Sequence, residues 1–190
     1  MELTTNRHKT KKVVRTAIFV ALLFVTSQIL IPLPPNPVPI NLAVMTVLLA
    51  GSLLGPYWGT LSVIVFILLG LIGLPVYSRF GSGASHLVGP TGGFLFGFVP
   101  AAFISGLGTY NLSSPQSKTP KFSVAFLSIA MCIGLIFIYA IGTVVFIYST
   151  KQSLNNSLYL TTIPFIFGDT IKIALALAIT IKLKKIKILF

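Results

Sequence analysis

The chain has 190 residues, of which 55% are hydrophobic and 8% are charged, and its formal net charge is +12. Soluble domains carry about one quarter charged residues, so this composition excludes an ordinary soluble protein and predicts an integral membrane protein. The apolar runs are continuous rather than alternating, which favours transmembrane helices over a β-barrel. The length leaves no room for a second folded domain, and we expect one membrane domain over residues 1–190.

Hydropathy predicts six transmembrane spans, over residues 13–31, 40–54, 58–74, 93–107, 122–148 and 162–181. The prolines in residues 32–39 stop the first span and predict a stiff, extended first loop. Gly55 and Pro56 force a turn between the second and third spans. Leu74 and Pro75 end the third span, and a polar, glycine-rich third loop runs to Pro90. Residues 111–121 and 149–161 form the last two loops. The predicted fold class is an all-α bundle of six transmembrane helices.

The basic residues flank membrane segments instead of covering a polar surface, so nucleic acid is not an expected partner. They cluster in residues 7–15, before the first span, and in residues 182–187, after the last span. Positive charge beside a span marks the cytoplasmic side, and both termini are therefore expected to be cytoplasmic. This topology places the first, third and fifth loops outside.

Pairs of small residues occur at four-residue spacing, which lets helices approach closely. The pairs are Ala17 and Ala21, Gly51 and Gly55, and Gly93 and Gly97. The default interpretation is that these pairs pack within the bundle. The more specific alternative is that they form a surface on which another protein docks.

The third loop has the glycines of an anion-binding loop but not the ending of a phosphate loop, so a nucleotide site is not expected. Its free backbone N–H groups are able to bind an anionic group, and a tight turn without a ligand explains the glycines equally well. Arg79 is interpreted either as a carboxylate-binding residue or as a solvated loop charge. His8 and His86 have no metal-ligand spacing, and no nucleophile elbow is present. We therefore expect no enzyme activity, no metal and no cofactor.

Asp169 and Lys172 lie inside the last apolar stretch, where a charge costs roughly 2.5–3.5 kcal/mol on insertion scales. Apart from Glu2, Asp169 is the only carboxylate side chain in the sequence. Residues three apart share one helix face, so this acid and this base are able to neutralise each other or to bind one polar ligand together. The sequence leaves both an ion pair that only fixes helix packing and a ligand site open.

Taken together, five segments resemble the BioY family, the biotin-specific substrate-binding S components of energy-coupling factor transporters. The resemblance runs in order through nearly the whole chain, over residues 34–40, 48–56, 70–76, 87–94 and 164–172. The segments Gly89-Pro90-Thr91-Gly92-Gly93 and Asp169 to Lys172 carry its most specific motifs.

The resemblance implies a six-helix S component of a bacterial cytoplasmic membrane that binds biotin near the outer face. Its partners would be a transmembrane coupling protein and cytosolic ATPases. Ala17 and Ala21 match the alanine motif by which S components dock on the coupling protein. Asp169 and Lys172 match the family's ligand-contacting acid and base. The apolar ring of biotin suits helix walls, and its carboxylate suits the third loop. The predicted substrate-binding residues are therefore Asp169, Lys172, Ser82, Gly83, Ser85, Arg79, Gly89, Thr91 and Asn41.

One segment departs from the family pattern: residues after the proline loop commonly read isoleucine-threonine-leucine-glutamine, whereas this chain has Ile40, Asn41, Leu42 and Ala43. A contact made by that glutamine is lost or replaced here.

The alternatives to biotin capture are an S component for a different small vitamin, an intramembrane enzyme or a channel. An enzyme would need a catalytic constellation and a channel would need polar stripes on several helices.

Overall fold

The computed structural model describes residues 2–32, 39–109 and 120–185, and in these ranges the fold is almost wholly helical. One antiparallel pair of two-residue strands, in the register Leu30 to Asn41 and Ile31 to Ile40, accompanies the helices. In chain order the elements are α1 (Glu2–Gln28), β1 (Leu30–Ile31), β2 (Ile40–Asn41), α2 (Ala43–Leu54), α3 (Pro56–Leu71), α4 (Ala84–Val88), α5 (Gly92–Leu107), α6 (Pro120–Thr150), α7 (Leu154–Thr161) and α8 (Ile163–Lys185).

Each predicted span coincides with a helix, and these helices are α1, α2, α3, α5, α6 and α8. The all-α prediction is therefore confirmed. Within the described residues, Val124–Thr150 and Leu154–Lys184 are long and apolar enough to cross a membrane, while α2, α3 and α5 are shorter apolar helices. The turn at Gly55 is also confirmed, because its φ of 85° ends α2 and α3 begins at the next residue.

Several loop boundaries differ from the prediction. Helix α1 begins at Glu2, well before residue 13, because lysine and arginine are good helix formers and continue the helix through the basic segment. The predicted last loop holds the end of α6 and the whole of α7. Lys121, expected in the fourth loop, falls in α6. Two predicted segments lie outside the described residues. They are the prolines at 34, 35 and 37 of the first loop, and the fourth loop up to residue 119.

Helix α2 is the centre of the bundle, and ten of its twelve residues are buried. Helices α1, α3, α5 and α8 all pack against it. Close approach requires a glycine at position 51, where a Cβ atom would lie 2.0 Å from the Ala102 carbonyl oxygen on α5. Gly93 and Gly97 have the same role between α5 and α6. These three small residues therefore pack inside the bundle, whereas Ala17 and Ala21 on α1 are exposed.

The third loop (residues 72–91, between α3 and α5) folds back over one end of the bundle, with a 3-10 turn at Ser78–Phe80 and the short helix α4. The end of α1 holds it there. Gln28 donates its amide to the Tyr77 carbonyl at 2.9 Å and accepts from the Phe80 N–H at 2.9 Å. Ser27 donates to the Val76 carbonyl at 2.6 Å. The start of this loop is therefore an ordered wall of the bundle.

Candidate ligand-binding site

A cavity of about 250 Å³ lies beneath the third loop, between α2, α5, α6 and α8. Ligand pockets in proteins range over roughly 300–1,000 Å³ for drug-sized molecules, so this cavity suits a smaller one. Its lining is mainly apolar with a few polar groups. The lining residues are Pro39, Asn41, Val44, Tyr77, Ser78, Arg79, His86, Thr91, Phe94, Leu95, Phe98, Ile138, Tyr139, Thr161, Phe165, Asp169 and Lys172.

The ion pair of the cavity is formed by Asp169 and Lys172, which α8 presents one turn apart. Lys172 Nζ lies 2.6 Å from Asp169 Oδ1. The two residues are only 3% and 5% exposed. A buried charge is tolerated only where it is paired and hydrogen-bonded, and each of these charges supplies the partner that the other needs.

Two further groups complete the hydrogen bonding of this pair. The Tyr139 hydroxyl, on α6, donates to Asp169 Oδ2 at 2.5 Å. Lys172 also donates to the main-chain carbonyl oxygen of Asn41, on β2, at 2.7 Å. The pair thus ties α8 both to α6 and to the strand before α2, and it faces the cavity. An arrangement of acceptors and donors in an otherwise apolar cavity is able to orient a small polar ring.

The side chain of Asn41 holds its own segment in place. Its Oδ1 accepts from the Ala43 N–H at 2.7 Å, at the first turn of α2. Its Nδ2 donates to Ser78 Oγ at 2.7 Å, in the 3-10 turn of the third loop. Asparagine commonly forms such local side-chain to main-chain bonds, and here it also links β2 to the third loop.

The structure places five of the nine predicted substrate-binding residues at the cavity: Asn41, Arg79, Thr91, Asp169 and Lys172. Arg79 is exposed and has a φ of 58°, so its backbone turns sharply at the cavity mouth. Ser82, Gly83, Ser85 and Gly89 are not among the lining residues.

At two of these positions the main-chain N–H group, predicted to be free for a ligand, is already hydrogen-bonded within the protein. The Gly83 N–H donates to the Gly70 carbonyl at 2.7 Å, and the Gly89 N–H donates to the Ser85 carbonyl at 3.0 Å. Because each group already has an acceptor, neither is free to bind a ligand in this conformation.

Sequence reasoning missed several cavity residues, and Tyr139 is the most important of them. Its position in the sequence is a signal that could have identified it. Tyrosines in membrane proteins are common at span ends, whereas Tyr139 lies in the middle of α6, inside an apolar span. His86, treated as a solitary histidine, lines the cavity with its ring 5.9 Å from that of Tyr77. Among the described residues, no group of three or more histidine, cysteine, aspartate or glutamate side chains is placed to hold a metal ion.

Comparison with known proteins matches nearly the whole chain. The model of the BioY family matches residues 2–188. The protein "Biotin transporter BioY" of Thermotoga maritima is 38% identical over 178 residues, which cover 94% of this chain and 98% of the relative. "Probable biotin transporter BioY" of Pyrococcus horikoshii is 38% identical over 176 residues, which cover 93% and 98%.

A solved structure shows the same fold. It is described as the S-component for biotin from an ECF-type ABC transporter, and it superposes with a TM-score of 0.83 at 32% sequence identity. The match covers 95% of this chain and 94% of the solved one. The overall fold of this chain therefore matches that of a protein of known structure.

Proposed function

The chain belongs to the BioY family, and from this membership we propose that it is the biotin-binding substrate-capture subunit of an energy-coupling factor transporter. The observation that carries the proposal is the buried pair of Asp169 and Lys172 at one small, mainly apolar cavity. The relatives named as biotin transporters match it over more than nine tenths of its length. The protein acts in transport and is not an enzyme.

The chemistry of the cavity supports biotin as the ligand. Biotin has a ureido ring with two N–H donors and one carbonyl, an apolar thioether ring and a carboxylate tail. Asp169 accepts from a ureido N–H, and Lys172 donates to the ureido oxygen. Phe94, Phe98 and Phe165 receive the thioether ring, since sulfur contacts with aromatic rings are favourable.

The carboxylate of biotin then lies toward the third loop. Arg79 and Thr91 line that side of the cavity, and Arg79 carries the charge that a carboxylate needs. Ser82, Gly83, Ser85 and Gly89 remain members of the proposed set as neighbours of these two residues. None of the four lines the cavity in this conformation, so a contact with the ligand requires the loop to move. No cofactor is part of this proposal, because biotin is the cargo.

The topology proposed for the subunit has six membrane crossings in one domain of a bacterial cytoplasmic membrane, with both termini cytoplasmic. The basic residues before residue 16 and after residue 181 support this orientation. Asp169 lies in the first half of α8, far from the basic end of that helix. The cavity consequently lies in the outer half of the bilayer, and the third loop faces outside.

The proposed partners are a transmembrane coupling protein and cytosolic ATPases, because the solved structure with the same fold is a component of an ECF-type ABC transporter. Ala17 and Ala21 form the proposed docking surface. Both are exposed on α1, one turn apart, in contrast to the glycines that pack inside the bundle. A stripe of small residues permits the close approach of a second helix.

The test is uptake of radiolabelled biotin by a biotin-auxotrophic bacterium that lacks its own biotin transporter. Cells that produce this chain together with a coupling module should take up biotin, and cells that produce the Asp169→Asn variant should not. Equal expression of both proteins in membranes is the control. Uptake of another vitamin, such as riboflavin or thiamin, without uptake of biotin would contradict the proposal.

A further inference from the structure

The turn at Ser78–Phe80 has a backbone conformation that its sequence does not favour. Arg79 and Phe80 both have positive φ angles, of 58° and 56°. The Gly81 N–H donates to the Ser78 carbonyl at 3.2 Å, so the chain reverses through two left-handed residues in succession. Turns with two such residues usually carry asparagine and glycine there, because a residue with a Cβ atom is strained at positive φ. Arginine followed by phenylalanine therefore needs support from outside the turn.

Gln28, the last residue of α1, supplies this support. Its Oε1 accepts from the Phe80 N–H at 2.9 Å, and its Nε2 donates to the Tyr77 carbonyl at 2.9 Å. The ring of Phe80 also packs edge-on against that of Phe24, one turn earlier on α1, with the centroids 6.5 Å apart. One side chain is thus bonded to the main chain on both sides of Arg79, and the end of α1 holds the turn in its strained form.

The residue between these two bonds, Arg79, lines the cavity. The other permanently charged base at the cavity, Lys172, is already paired with Asp169. Arg79 forms no ion pair within the described part of the chain, so its guanidinium charge is available to an anionic ligand. The direction of a side chain depends on the backbone angles of its residue. A turn that relaxed to negative φ would therefore redirect the side chain of Arg79.

We propose that Gln28 is a positioning residue for the carboxylate of the ligand: by holding the turn, it places Arg79 at the cavity mouth. The proposal rests on the proposed function, in which Arg79 receives the carboxylate of biotin. Gln28 is not among the residues that line the cavity, so it acts through Arg79 and not by contact with the ligand. A charge that is held in place before the ligand arrives also lowers the entropic cost of binding.

Two ligands that differ only in their charged group test this proposal. Biotin carries a carboxylate, and biotinamide carries an uncharged carboxamide in its place. Calorimetry on the intact protein gives both affinities. The wild-type protein should bind biotin about tenfold or more tightly than biotinamide, because a hydrogen bond between charged groups is the stronger one. The Gln28→Ala variant should bind biotin about threefold to tenfold more weakly than the wild type, with a nearly unchanged affinity for biotinamide.

Ser27→Ala is the matched control. Ser27 is the neighbour of Gln28 on α1, and it donates to the Val76 carbonyl, which precedes the turn. This variant should leave the ratio of the two affinities as it is in the wild type. Arg79→Ala should weaken biotin binding at least as much as Gln28→Ala does. Adding Gln28→Ala to Arg79→Ala should cause no further loss, because both substitutions act through one charge.

A rescue experiment tests the strain in the turn. Phe80→Gly, combined with Gln28→Ala, should restore part of the lost affinity for biotin, because glycine adopts positive φ without steric cost. A double variant that recovers no affinity would contradict the claim that Gln28 acts by holding a strained turn.

The two ligands also separate this proposal from the proposed function. Equal losses of affinity for both ligands in Gln28→Ala would show a merely structural role and overturn the proposal. Equal affinities of the wild-type protein for both ligands would overturn it as well, and either result leaves biotin capture intact. A folded wild-type protein that binds neither ligand would overturn the proposed function itself.

Discussion

The ring of Tyr77 lies directly on the backbone of Gly70, and a Cβ atom at position 70 would be 2.1 Å from Tyr77 Cζ. The Tyr77 hydroxyl donates to the Ile67 carbonyl at 2.6 Å, one turn earlier on α3. Gly70 also accepts, through its carbonyl, from the Gly83 N–H. One glycine thus fixes both a cavity-lining side chain and the middle of the third loop.

The first prediction concerns this contact. Gly70→Ala should displace Tyr77, lower the stability by about 1–3 kcal/mol as overpacking does, and weaken biotin binding. The matched control is Gly168→Ala on α8, where the nearest atom to a new Cβ is Ile40 Cδ1 at 3.4 Å. That change should leave stability equal or slightly higher, because alanine favours helix. Thermal unfolding and calorimetry measure both quantities, and similar behaviour of the two variants would refute the role of Gly70.

The second prediction concerns the buried ion pair. Asp169→Asn and Lys172→Ala should each weaken biotin binding more than tenfold, because loss of a charge-assisted bond costs about 1.5–3 kcal/mol and tenfold corresponds to about 1.4 kcal/mol. Calorimetry on purified variants gives the affinities.

A double variant serves as the stability control for this pair. Asp169→Asn combined with Lys172→Ala should fold more stably than Asp169→Asn alone, since it leaves no unpaired buried charge. Both single variants binding biotin normally would mean that the pair only holds helices together.

The third prediction concerns docking. Ala17→Trp and Ala21→Trp should reduce biotin uptake in cells and leave binding by the isolated subunit unchanged, because bulk prevents the close approach of a partner helix. Ile136→Trp is the control, since Ile136 is 61% exposed on α6. It should retain uptake. If Ala17→Trp and Ala21→Trp instead lost both biotin binding and folded protein, this face of α1 would pack inside the bundle.

The fourth prediction concerns the side of the membrane that the third loop faces. A cysteine at Ala84, introduced together with Cys132→Ala, should react with a membrane-impermeant thiol reagent added outside. Ala84 is exposed and lies two residues from the cavity-lining His86. We expect the third loop to close over the ligand, so saturating biotin should slow the reaction. Labelling only from the cytoplasmic side would contradict the topology, and labelling unaffected by biotin would contradict closure.

The sequence predicts those parts of the fold that depend on local chemistry. Six apolar runs predict six helices, and Gly55 with Pro56 predicts a turn, because hydrophobicity and backbone restriction are properties of neighbouring residues. The short helices α4 and α7 were not predicted. Their residues are polar or mixed, and packing on the rest of the bundle stabilises segments of this length more than their own propensity does.

The residues of the site likewise fall into those that the sequence predicts and those that only the folded structure reveals. Asp169 and Lys172 are predictable because charges in an apolar span are rare and both belong to one helix. Tyr139 comes from another helix, and no sequence spacing relates it to Asp169. The Asn41 carbonyl is a main-chain atom, which any residue type supplies, so only the contact with Lys172 in the folded protein reveals it.

The central claim is that this chain captures biotin, and the most direct measurement is the identity of its bound small molecule. The protein is purified from cells grown with a mixture of vitamins, washed and denatured, and the released ligand is identified by mass spectrometry and quantified against the protein. The account predicts biotin in an amount close to equimolar, with much less from the Lys172→Ala variant. Recovery of a different vitamin, or of no biotin from a folded protein that also fails to bind it in calorimetry, would contradict the account.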